Sequence, residues 1–164
     1  LIAAVTSGAG ALQGVHRTWL EPNGQDKAAV DTPRRAMGHL LGNAVRIAPA
    51  DQTLVLGEGL ETMLSVREAA PSLPVWAALS SGHLGAVLLP DGLQRLYIAI
   101  DRDPAGQRAA ERLTARATEA GIAVRVLEPR LGDFNDDLRA HGVEALRQHL
   151  AQQIDLKDQH RLTI

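Results

Sequence analysis

From Gln52 onward, short apolar runs alternate with longer amphipathic ones, and few architectures accept that alternation. "TLVLG", "PVWAALS", "RLYIAI" and "IAVRVLEP" read as four strands. Such runs are apolar at both parities, as in strands covered on both faces. Between them, "LETMLSVREAA" places Leu60, Met63, Leu64 and the stem of Arg67 on one helical stripe. "GHLGAVLLP" is a short helix or turn. "DPAGQRAAERLTARATEAG" has Asp103 to cap the helix, Pro104 in its first position and Gly121 to stop it. Its apolar face is Ala105, Ala109, Leu113, Ala117 and Ala120. "DFNDDLRAHG" and "VEALRQHLAQQI" read as a loop-helix and a closing helix. Strands that alternate with helices of this length predict an α/β fold, four mostly parallel strands flanked by helices.

Residues 1–50 follow another pattern. "LIAAVT" and "GVHRTWLEP" are strand-like, "PNGQ" is a hairpin turn signal, and the rest is broken by Gly and Pro. This is a small β-rich segment, locally basic through Arg17, Lys27, Arg34, Arg35 and Arg46. It is either a solvated antiparallel sheet or a surface that faces phosphates. The expected division is 1–50 for this segment, 51–154 for the α/β domain and 155–164 for a C-terminal tail.

Composition removes several classes of chemistry. With no cysteine, disulfides, thiolate zinc sites and cysteine nucleophiles are excluded, and a reducing cytoplasm is the expected compartment. The net charge of −2 gives no global attraction to nucleic acid. No apolar run approaches the ~20 residues of a membrane span, so no membrane partner is expected. The start at Leu1 lacks a basic flank and a methionine, which fits a fragment or a processed chain. Trp19, Trp76, Tyr97 and Phe134 are the only aromatics, too few for a surface that stacks many bases. Ser80-Ser81-Gly82-His83 has no evident acidic partner and reads as a loop. His16, His39, His141, His149 and His160 show no ligand spacing.

In parallel α/β sheets ligands sit outside the carboxyl ends of the strands. Here those ends carry acid: Glu58 and Glu61 after the first strand, Asp101 and Asp103 after the third, and Asp133, Asn135 and Asp136 beyond the fourth. In extended backbone, Asp101 and Asp103 face one spot and Arg102 faces away. Two carboxylates so close cost free energy unless a hard cation such as Mg²⁺ compensates them. Taken singly, each motif also fits a turn or a helix cap. Three such coincidences at one sheet edge are much less expected.

"EGLET" after a strand, "DRDPAG" after a strand and the later "GDFND" resemble the three signatures of the Toprim domain, over roughly residues 52–154. That domain is shared by topoisomerases, bacterial-type primases and certain nucleases. The segment "GVHRTWLEPNGQDKA" with "PRRAMG" is similar to the stretch before Toprim in primase-like proteins of phages, plasmids and mobile elements.

The resemblance implies a small Rossmann-like sheet and Mg²⁺, with Mn²⁺ as a substitute. Glu58 is then the catalytic carboxylate, Asp101 and Asp103 hold metal, and Asp133 or Asp136 assists. Lys27, Arg34, Arg35 and Arg17 are the expected contacts to nucleotide phosphates or template. Thr62 stands where bacterial-type primases often carry an aspartate, and Asn135 alters the third motif, so a second metal position is in question.

The implied activity is synthesis of a short RNA primer on single-stranded DNA from NTPs. A zinc-binding module or helicase would lie outside this chain. A Toprim-type nuclease and a non-catalytic metal- and nucleic-acid-binding module are the alternatives. A topoisomerase needs a nucleophilic tyrosine, and Tyr97 lies inside a predicted core strand.

Overall fold

A computed structural model describes residues 1–162; positions 163–164, the end of the expected tail, lie outside the described residues. The four parallel strands form as the pattern predicts: β5 (Thr53–Gly57), β6 (Val75–Ala77), β7 (Arg95–Ala99) and β8 (Ala123–Leu127). Every residue of β5 is buried, because β6 and β7 flank it in parallel and helices cover both faces. On one face lie α1 (Leu60–Ala69) and α4 (Phe134–Ala151), on the other α2 (Ser81–Leu84) and α3 (Pro104–Glu119).

The N-terminal strands join this sheet rather than forming one of their own. They are β1 (Ile2–Thr6), β2 (Leu12–Thr18), β3 (Arg34–Gly38) and β4 (Ala44–Arg46). The sheet runs β3-β2-β1-β4-β6-β5-β7-β8, antiparallel up to the β4–β6 pair and parallel beyond it. The seam is the register Val45↔Ala77 and Arg46↔Trp76. The Arg46 guanidinium lies 4.2 Å from the centre of the Trp76 ring, so the seam is also a cation–π contact.

Helix α3 starts at the Asp103 cap, whose side chain accepts from the Gly106 amide at 2.7 Å. Ala109, Leu113 and Ala117 are buried as expected, joined by Gly106 and Ala110, while Ala120 is exposed. The stripe expected on α1 is different. Leu64 is exposed, and Thr62, Ser65, Val66 and Ala69 are buried beside Leu60 and Met63. The reason is that α1 is covered on two sides, by the sheet and by α4, so small polar residues pack where the helices meet.

Helix α4 breaks at Gly142, at φ 81° and ψ 168°, which separates the loop-helix from the closing helix. Residues Leu156–Leu162 form a 3-10 helix in which Asp158 is fully buried. Its carboxylate accepts from Arg95, the Tyr97 hydroxyl (2.7 Å) and Thr53 (3.3 Å). Among the described residues, no helix is long and apolar enough to cross a membrane.

Candidate active site

A cleft of about 210 Å³ opens at the carboxyl ends of the parallel strands. Glu58, Glu61, Asp101 and Asp133 line it, as do Lys27 and Arg34 from the N-terminal strands and their loop. Glu58 stands one residue beyond β5, where the chain turns through Gly59 into α1. Asp101 stands two residues beyond β7. Asp133 caps α4 by accepting from the Asp136 amide at 2.8 Å.

The acidic groups repel one another. Burial, then the charges of Glu58, Asp133 and Asp103, push the Asp101 carboxyl up to about 7, against the opposing pull of Arg34. Burial, then Asp103, raises Glu58, and the Ser81 amide and Arg34 partly offset this. Oε2 of Glu58, Oε1 of Glu61 and Oδ1 of Asp101 are buried without a hydrogen-bond partner. Buried polar atoms are normally paired, so three orphaned carboxylate oxygens facing one cleft fit a hard cation. Among the described residues, no three acidic or histidine side chains are close enough to form a protein-only metal shell. Oxygen donors of this kind suit a hard divalent cation that keeps part of its water shell.

Asp103 and Asp136 stand differently. Asp103 is exposed and its side chain caps α3; it reaches the site through its charge. Asp136 is exposed and does not line the cleft, whereas Asn135 does. Thr62 donates to Asp133 (3.2 Å), and Ser65 lies 3.2 Å from the Asn135 side-chain oxygen. The two positions that depart from the primase pattern thus tie α1 to the start of α4.

Arg34 and Arg35 separate. Arg34 turns toward the cleft, 3.6 Å from Glu61, and pairs across β2 with Thr18. Arg35 pairs with Arg17, and successive strand residues point to opposite faces. Arg17 lies with Trp19 and Arg35 around a second groove and does not line the acidic cleft.

Two features of the cleft carried no sequence signal. Leu79 lines it in a left-handed conformation, φ 75°, uncommon for a residue with a side chain. Its amide donates to the Glu58 carbonyl at 2.8 Å, which fixes the turn after β6 beside the turn after β5. Glycine or asparagine would have marked that position; leucine does not. His16, which shows no ligand spacing in the sequence, is buried beside Arg34 and Glu58 in an adjoining pocket of about 290 Å³.

Known proteins are similar to parts of this chain. The Toprim domain family matches residues 53–144, and a domain of unknown function matches residues 1–47. A tRNA dimethylallyltransferase of Rhodopseudomonas palustris is 32% identical over 127 residues, which are 74% of this chain; the chain spans only 38% of that protein. The primase fragment of the bacteriophage T7 primase-helicase superposes with a TM-score of 0.67 at 19% identity, over 91% of this chain and 61% of the fragment. An Aquifex aeolicus primase structure with zinc-binding and RNA polymerase domains gives 0.62 at 20%, over 94% of this chain and 40% of its own.

Proposed function

Because the chain belongs to the Toprim domain family, we propose that its acidic cleft performs Mg²⁺-dependent nucleotidyl transfer, making a short RNA primer on single-stranded DNA. The observation that carries this reading is the meeting of Glu58, Asp101 and Asp133 with Lys27 and Arg34 in one cleft. A triphosphate needs both signs of charge: cations for its own oxygens, and carboxylates for the metal that accompanies it. The shared fold with two primases, over more than nine-tenths of the chain, supports the same reading. The likeness to tRNA dimethylallyltransferase touches 38% of that protein and supports no whole reaction here.

Asp101 would hold the metal, with Asp133 beside it. When bound, Mg²⁺ neutralises charge developing on the phosphate oxygens. The chain's own groups do the rest. Lys27 and Arg34, in the same cleft as the acids, hold the triphosphate. Glu58, with its carboxyl raised, takes the proton of the attacking 3′-hydroxyl as the new P–O bond forms at the α-phosphate and pyrophosphate leaves. Thr62 and Asn135 fix the orientation of Asp133 and the start of α4. A zinc-binding or helicase partner, as in the proteins of similar fold, would come from outside this chain.

The test is incubation with single-stranded DNA, labelled NTPs and Mg²⁺ or Mn²⁺. Short RNA that requires NTPs is the expected product. Glu58→Gln removes the charge with little change of volume and should lower product by at least a hundredfold while the melting temperature holds. Cleaved DNA without NTP incorporation would favour the nuclease, and full activity in Glu58→Gln would remove Glu58 from the mechanism.

A further inference from the structure

On the face of the sheet opposite the acidic cleft, we infer a second nucleic-acid site: a single-strand groove in which Trp19 stacks one base and Arg17 and Arg35 hold the flanking phosphates. It takes its ligand class from the primase reading; its geometry stands apart from the cleft.

The helices α2 and α3 cover this face over the parallel half only. Over β1–β3 no helix lies on it, and Ile2 and Met37 stand 73% and 70% exposed. There a groove of about 450 Å³ is lined by Arg17, Trp19 and Arg35 together with Ala28, Val30 and Asp31. Trp19 is 51% exposed; the three other aromatics, Trp76, Tyr97 and Phe134, are buried. The Arg17 guanidinium lies 4.7 Å from the centre of the Trp19 ring, so the ring is held rather than free to sweep.

The charges point to an anion. Arg17 and Arg35 are direct cross-strand partners, and like charges placed opposite each other destabilise a sheet. Among the described residues neither makes an ion pair. The one carboxylate lining the groove, Asp31, is exposed and, among the described residues, forms no ion pair with Arg17 or Arg35. A phosphate between the two guanidiniums removes the repulsion. An aromatic ring beside paired cations is what single strands use: bases stack on the ring while the backbone follows the charge. Because β3 is the edge strand and Arg35 lines both this groove and the pocket beside the cleft, a strand that rounds this edge would reach both.

The test is binding of fluorescein-labelled oligo(dT) by the whole chain in EDTA, across a salt series, so that no catalysis enters. Trp19→Ala should weaken binding roughly ten- to hundredfold, and Trp19→Phe should restore most of it. Arg17→Gln with Arg35→Gln should lower the slope of log affinity against log salt by about 1.4, two single-strand contacts. The measurement is made in EDTA and without NTPs, so a failed priming assay leaves this result standing. An unchanged affinity in Trp19→Ala together with an unchanged slope in the double variant overturns the inference. So does a parent that self-associates in sedimentation through Trp19 while its oligo(dT) affinity ignores the substitution, which would make the face a protein contact.

Discussion

Asp101 carries both a cost and a function in one carboxyl. Its folded pKa of about 7 stands above the unfolded value, so the folded state binds the proton more tightly between the two. Metal-free stability is therefore fully present below about pH 4 and falls as the pH rises through 7. Asp101→Asn removes the charge: in EDTA at pH 8 it should melt no lower than the parent and preferably higher, with the difference vanishing near pH 4. Mg²⁺ at a hundredfold excess over Kd should stabilise the parent by about 2.7 kcal/mol and the variant far less. Thermal melts with EDTA and with Mg²⁺ at both pH values read this, and a variant that melts lower at pH 8 in EDTA contradicts it. The sequence showed this residue because an apolar strand ran directly into it. It did not show that Arg34 lines the cleft while Arg35 reaches the second groove, since that depends on β3 being extended from its first residue, and "TPRRAMG" also reads as a broken connector.

Among the elements, the parallel half was legible because each strand is an apolar run closed by a cap or a glycine. The antiparallel half was legible only as a set of short strands. Its attachment depends on β4 and β6, three residues each, paired across about thirty positions of chain, and no local pattern carries that. One polar residue buried in α1 was hidden for a related reason: Thr62 is satisfied by Asp133, more than seventy residues later, whereas Ser65 also has a local acceptor in the Glu61 carbonyl. Gly142 in α4 is the reverse case, a local signal with a structural effect. At φ 81° and ψ 168° it occupies a region essentially restricted to glycine. Gly142→Ala should lower stability by about 1–3 kcal/mol, read from the urea midpoint. No loss would mean that the two arms of α4 straighten at little cost.

Across the whole molecule, residues 155–162 pack onto the core, with Asp158 and Leu162 buried. Burial alone would raise the Asp158 carboxyl, but Arg95, Tyr97 and Arg161 outweigh it and hold it below the ordinary range. Asp158→Ala leaves the Tyr97 hydroxyl and the Arg95 guanidinium without their acceptor, and should cost about 3 kcal/mol, near the lower end for a broken buried pair because Arg95 is partly exposed. Equilibrium unfolding of parent and variant measures it, and a difference below 1 kcal/mol would mean that water replaces the carboxylate freely. The same contact also has a consequence in time. Tyr97 leaves the ribosome 61 residues before Asp158. At ~5–20 residues per second, the central strand waits roughly 3–12 s for its acceptor. The parallel half is therefore synthesised early and completed late, and during that interval the nascent chain holds an unpaired cation and a phenol at the base of its sheet.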